Sequence, residues 1–280
     1  MKFILIGFCL FSLTAKAQMS ARSFVPFSKG SSGGAAAPAY AGTNDFDATK
    51  LPTFGLYGIG NTNTETFNNI NSSGKLSGYI RPFKGTLGAW KVPAFIDVNF
   101  GFNVNAANTD SLLVNTVLFP DAGKNSFSGS IVFNIALGKN PDYYLISPFF
   151  EFATKTVSGR KTDSARTFYT INSTYGVNFQ YLYVDADDKV SFTISPYLAS
   201  VNIPDPGTKD YKYLFTSNES SPLKTTINSW GVKCTFQYNY FQIFADLRTV
   251  KGTEAELPVP GYRGFHPNIG IIFNAEIFEK

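Results

Sequence analysis

Residues 169–183 read Tyr-Thr-Ile-Asn-Ser-Thr-Tyr-Gly-Val-Asn-Phe-Gln-Tyr-Leu-Tyr. In an extended chain, Tyr169, Ile171, Ser173, Tyr175, Val177, Phe179, Tyr181 and Tyr183 share one side. Thr170, Asn172, Thr174, Gly176, Asn178 and Gln180 share the other. A period of two over that length marks a β-strand with one apolar and one polar face. Three further stretches repeat it. Ile96, Val98, Phe100 and Phe102 alternate with Asp97, Asn99, Gly101 and Asn103. Ile131, Phe133, Ile135 and Leu137 stand opposite Ser128, Ser130 and Asn134. Ile269, Ile271, Phe273, Ala275 and Ile277 alternate with Asn268, Gly270, Asn274 and Glu276.

Alternation alone does not say which face points inward. In a soluble β-sandwich the apolar face is the core, and strands run to about five or six residues. Several runs here reach ten to fifteen residues, against the roughly 9–11 that a tilted strand needs to cross a bilayer. The expectation is therefore all-β: a single antiparallel up-and-down transmembrane β-barrel of about ten strands, with eight to twelve fitting the same pattern.

The expected strands are 53–60, 76–83, 94–105, 127–137, 143–154, 166–184, 189–203, 225–238, 240–249 and 266–278. Between them, connections 61–75, 106–126, 155–165, 204–224 and 250–265 read as long and polar. Connections 84–93, 138–142, 185–188 and the one around Asn239 read as short. That alternation matches a barrel with short turns on one rim and long loops on the other, and an even strand number puts both chain ends on the short-turn rim. Tyr143, Tyr144, Tyr181, Tyr183, Tyr238, Tyr240 and Phe278 lie beside the short turns. Amphipathic rings favour a membrane interface. Pro148 and Pro196 fall inside expected strands, where an edgeless sheet should accommodate them at bulges.

Composition agrees with the strand reading. There are 28 Phe and 15 Tyr against 2 Met, with 16% charged residues, which favours strands over surface helices. No stretch after the N-terminus approaches 18 consecutive apolar residues, so a helical membrane protein is excluded. The N-terminus has its own logic. Lys2 precedes the apolar run 3–13, and Ala15 and Ala17 place small residues where a signal peptidase reads, with Gln18 as the new first residue. Phe8 before Cys9 disfavours lipidation. Cleavage removes Cys9 and leaves Cys234 without a disulfide partner. It also lowers the formal net charge from +4 to +2, too weak for nucleic-acid binding. The expected organisation is a signal peptide over 1–17, a flexible periplasmic leader over 18–52 that is disordered or partly tucked into the barrel, and the barrel over 53–280.

These features, with the aromatic final strand Ile-Gly-Ile-Ile-Phe-Asn-Ala-Glu-Ile-Phe (269–278), resemble Gram-negative outer-membrane β-barrel proteins. The Ala-Gln junction and the Phe/Asn-rich style resemble members from the Bacteroidota. The resemblance covers 53–280 and implies a cell-outer-membrane location, contact with outer-membrane lipid, and assembly by the membrane's insertion machinery. Glu279 and Lys280 follow Phe278, whereas that family often ends on the aromatic itself.

Six charges fall on expected interior positions: Asp97, Glu151, Lys233, Asp246, Arg248 and Glu276. Unpaired charges in a narrow lumen are costly, so Lys233 and Arg248 are expected to pair with carboxylates. Ordinary wetted polar groups in a water-filled interior are the alternative. His266 is the only histidine, and there is no cysteine cluster, so neither a metal site nor a cofactor is expected. Residues 55–60 lack the spacing of a phosphate-binding glycine loop. The functional expectation is a structural wall protein, small pore or surface-binding scaffold of unknown ligand, with binding expected on long loops such as Asp210-Tyr211-Lys212-Tyr213. The alternatives are a soluble secreted or periplasmic sandwich or lipocalin-like binder, and a lipid-acting barrel enzyme centred on His266.

Overall fold

A computed structural model describes residues 46–66, 69–89, 91–105, 117–118, 124–139, 141–161, 164–184, 189–215, 223–239, 241–252 and 263–279. Ten strands follow one another: β1 (Phe54–Thr66), β2 (Asn69–Leu87), β3 (Val92–Asn105), β4 (Lys124–Lys139), β5 (Asp142–Lys161), β6 (Ser164–Val184), β7 (Lys189–Asn202), β8 (Thr226–Tyr238), β9 (Phe241–Val250) and β10 (Gly264–Glu279). One helix, α1 (Gly207–Phe215), lies between β7 and β8. Each strand pairs antiparallel with its sequence neighbours, and β1 pairs with β10 to close the sheet into a barrel.

The faces divide by polarity. On β6, Tyr169 is 60% exposed and Thr170 fully buried, and the alternation continues through Ile171, Asn172, Tyr175, Asn178, Phe179 and Gln180. Ile131, Phe150, Phe152, Leu198 and Ile243 likewise point outward, while Ser130, Asn134, Ser147 and Thr235 point inward. The outer face is thus covered by large apolar side chains, and the hydroxyls, amides and charges face in, together with further apolar groups such as Phe95 and Leu182. The outward apolar run 127–137 on β4 covers ~25 Å of wall, at about 3.3 Å per residue and a tilt of about 40°.

Consecutive strands are separated by 88–91, 140–141, 185–188 and 239–240, at the four expected short connections, while the expected long connections 106–126, 204–224 and 250–265 fall between strands less their strand residues 124–126, 250 and 264–265. The other two are corrected. Residues 61–75 are mostly strand, since β1 runs to Thr66 and β2 starts at Asn69. β5 and β6 pair rung for rung to Lys161 opposite Ser164. In sequence, 61–75 is rich in Asn, Thr and Ser and 155–165 is mostly polar, so no hydrophobic alternation marks them, although threonine favours strands. At the opposite rim, Asn239 adopts a left-handed φ of 49°, which asparagine tolerates. Its side-chain Oδ1 accepts from Lys189 N at 3.1 Å.

The prolines also differ from expectation. Across Pro148 and Pro196 the register with the neighbouring strand is unchanged on both sides of a short gap in the ladder, so neither sits at a bulge. The shift in β2 falls instead between Ile80 and Phe83, at Arg81-Pro82. Both prolines point outward, and each leaves the ladder to lose rungs on one side only.

Close approach requires glycine at inner-wall positions, among them Gly231 and Gly176. The Tyr197 ring lies over Gly231, where an added Cβ would sit 2.5 Å from the ring and 2.6 Å from the Leu247 carbonyl oxygen. Phe149 covers Gly176 on the neighbouring strand in the same way. Cross-strand aromatic–glycine pairing fills the wall where no side chain stands. Gly231→Val is expected to destabilise the barrel by about 1–3 kcal/mol through overpacking, measured by urea unfolding. Gly85→Ala, whose Cβ would meet nothing nearer than 3.5 Å, should leave the midpoint unchanged.

Candidate functional site: the plugged interior

The barrel interior has an apolar cluster at each mouth. At the short-turn mouth, Phe46, Ala48 and Leu51 pack against Phe95, Ala136, Tyr143, Leu145, Leu182 and Val184. Residues 46–53 thus enter the barrel before β1 begins. Phe46 stacks on Phe95 at 6.0 Å and meets Tyr143 edge-on at 5.3 Å. At the long-loop mouth, Tyr211 of α1 and Val117 and Leu118 of the β3–β4 connection pack against Val157, Phe168, Val201, Ile227 and Val250. The rest of the interior interleaves ionisable and amide side chains with two smaller apolar clusters, Tyr57, Tyr79, Phe244 and Ile272, and Val132, Phe149, Tyr197 and Ala199.

Two networks organise the polar side chains. In the first, Arg81 donates from Nε to Asp97 Oδ1 at 2.6 Å, with both side chains almost fully buried. Asn134 donates to Asp97 Oδ2 at 3.3 Å, and the Ser147 hydroxyl donates to Asn134 Oδ1 at 2.8 Å. One chain of contacts therefore crosses β2, β3, β4 and β5. The guanidinium of Arg81 also lies 4.8 Å from the centres of the Tyr79 and Phe95 rings. In the second network, the Tyr197 hydroxyl donates to Asp246 Oδ1 and accepts from Arg248 Nε at 3.1 Å. Register places Lys233 opposite Asp246 on one side and His266 opposite Arg248 on the other.

A shared device ties the non-strand segments to the wall: a cation donates to a backbone carbonyl. Arg81 Nη1 reaches Pro52 O at 2.7 Å, Lys84 reaches Leu51 O at 2.7 Å, and Lys161 reaches Tyr213 O at 2.9 Å. Arg248 Nη1 donates to Leu118 O. Such charge-assisted bonds to main chain hold a segment whatever its side chains are.

The expected interior charges Asp97, Glu151, Lys233, Asp246 and Arg248 all face inward and are buried. The Glu276 side chain lies outside the described residues. Asp97 pairs with Arg81, not with Lys233 or Arg248, and Arg81 and Lys155 were missed. Arg81 follows the outward series Leu76, Gly78, Ile80, so alternation places it inside. Lys155 lies in the stretch read as loop. His266, near the long-loop end of β10, faces the interior at 9% exposure.

Among the interface aromatics, Tyr144 and Tyr238 point outward, and Tyr181 and Tyr183 are half-buried on the same outward side. Tyr144 and Tyr181 lie 5.5 Å apart, and the Tyr181 hydroxyl donates to Asp142 at 2.5 Å. Tyr143 is corrected: it is fully buried inside the barrel, because successive strand residues alternate faces and Tyr144 takes the outer one. Tyr240, the Phe278 side chain and the cleavage residues Ala15, Ala17 and Gln18 lie outside the described residues. The loop segment singled out above is part of α1, whose Tyr211 is buried, and Asp210 meets Arg166 at 3.4 Å.

Removing one partner of the Arg81–Asp97 pair leaves a buried charge uncompensated, at a cost of about 3–5 kcal/mol. Asp97→Asn should therefore lower unfolding stability by that order, and adding Arg81→Gln should recover much of the loss in a double-mutant cycle. Additive losses would show that the two side chains do not act as a pair.

A comparison with protein-family models gives no match to this chain, and a search of curated proteins gives none.

Proposed function

We propose that this chain is a Gram-negative outer-membrane β-barrel whose wall stands in lipid and whose interior is closed to free diffusion. It acts as a wall element or a surface-binding scaffold, not as an open pore. The observation that carries this reading is the reversed polarity of the two faces. Apolar surface exposed all round a folded barrel needs an apolar solvent, and a closed sheet leaves no unpaired edge inside it. A lipocalin-like binder would keep its apolar side chains within the barrel, where this chain keeps Asp97, Glu151 and Arg248. The apolar clusters at both mouths favour a closed interior over a diffusion channel. The inward placement of His266 turns it away from the lipid on which a membrane hydrolase would act.

The mature chain is expected to fractionate with the outer membrane and to change gel mobility on boiling, and to give no steady open conductance in planar bilayers. Ile131 offers a sharper discriminator, being 54% exposed near the middle of the apolar band. Ile131→Arg should impair insertion, costing about 2–4 kcal/mol at a bilayer midplane. In a water-soluble chain the same substitution would be neutral or raise solubility, and that result would sink the proposal.

A further inference from the structure

We propose that Phe46–Thr53 is a releasable strap across the short-turn mouth, shutting the polar interior from that side. The segment spans the mouth. Its C-terminal part is gripped from β2 by Arg81 on Pro52 O and by Lys84 on Leu51 O. Its N-terminal part seats Phe46 on Phe95 of β3 and Tyr143 of β5, in a cluster that continues to Leu182 and Val184 of β6. β6 lies half-way round a ten-strand ring from β1. The strap therefore crosses the opening and does not merely line the rim.

Two features make it a separable unit. First, it carries its own local structure. Asp47 caps the 3-10 turn Ala48–Lys50, accepting from Thr49 N at 3.0 Å and the Thr49 hydroxyl at 2.6 Å, and pairing with Lys50 at 3.3 Å. The Thr49 hydroxyl bond, with smaller help from the Thr49 amide and Lys50, holds the Asp47 carboxyl below its ordinary pKa. Second, the contacts that fasten it to the wall are side-chain grips and three apolar anchors. Its backbone joins the sheet at its C-terminal end, where Arg81 N donates to Thr53 O at 2.7 Å. Segments fastened in this way open locally at far lower free energy than ladder strands do.

What lies behind the strap decides its purpose. Immediately inward come Arg81, Asp97, Asn134 and Ser147, so withdrawal exposes a polar, ionisable part of the interior. A permanent stopper would be better served by an apolar core, because buried polar groups add stability only when fully hydrogen-bonded. Arg81 stays with the wall through Asp97 and its two flanking rings, leaving the grip in place for the strap's return. The inference goes beyond the membrane reading and does not depend on it.

The test uses the full mature chain, refolded in detergent micelles, with Cys234→Ser removing the native thiol. Ala136→Cys, and separately Ser191→Cys, place a reporter on the inner wall near that mouth; both positions are buried. A cationic methanethiosulfonate reagent then reports access. With the strap intact, labelling should be slow. Phe46→Asp or Leu51→Asp, which unseat the strap without touching the wall, should speed it at least about tenfold. Lys84→Gln, which removes one grip, should speed it about threefold. Retained heat-shift on gels confirms that the barrel persists in each variant. Rates within twofold of one another, or fast labelling with the strap intact, would overturn the proposal. So would loss of the heat-shift in both strap variants, since the segment would then be part of the wall's stability. Because the assay runs on purified protein, it reads the strap whether or not the membrane assignment holds.

Discussion

The ladder between β1 and β10, from Gly55 opposite Glu279 to Thr64 opposite Ile269, joins strands at the two ends of the barrel sequence. Everything else rests on that closure. A sheet with open edges would leave rows of unpaired N–H and C=O groups beside its exposed apolar face, a template for aggregation in water and several kcal/mol per group in lipid. Closing the sheet removes both edges. Only then does an outward apolar face become tenable, and an inward polar face become an enclosed interior instead of solvent-exposed surface.

Enclosure changes what the inner side chains must do. Asp97 or Arg81 alone would be a buried charge; together with Asn134 and Ser147 they form a hydrogen-bonded chain across four strands, with Arg81 Nη2 left without a hydrogen-bond partner among the described residues. Tyr197 does the same between Asp246 and Arg248, and it reaches them because Gly231 has no side chain in its path. Aromatic rings over glycine and charge pairs across strands are thus two answers to one packing problem. A narrow barrel must be filled, and its filling must match the polarity of the inner face.

The two mouths are closed by different parts of the chain with a common chemistry. On the short-turn side the segment before β1 turns inward; on the long-loop side α1 and Leu118 do so. In each case wall cations hold main-chain carbonyls while apolar side chains supply the burial. The carbonyl grip fixes position, and the apolar anchors supply most of the adhesion.

Much of this was legible in the residues. Side-chain direction along an extended chain is a local property, so the alternation at 96–104, 127–137, 169–183 and 269–277 identified strands and sorted their faces without knowledge of the fold. The strand count followed from counting those runs, and the short turns from the Gly, Asn and Asp between them. Tyr143 was legible too, since it cannot share a face with Tyr144. The far ends of the β1–β2 and β5–β6 hairpins were not, because runs of Thr, Asn and Ser carry no hydrophobic period. Nor was the pairing of Arg81 with Asp97, Tyr197 reaching Asp246, or the seating of Phe46 on Tyr143. Those contacts depend on register between strands, on the bulge at Arg81-Pro82, and on the stagger that sets which rungs share a level. The sequence by itself determined which side of each strand is greasy; only the closed barrel decided which inward side chains meet, because that follows from the register of whole strands and not from the periodicity of any one.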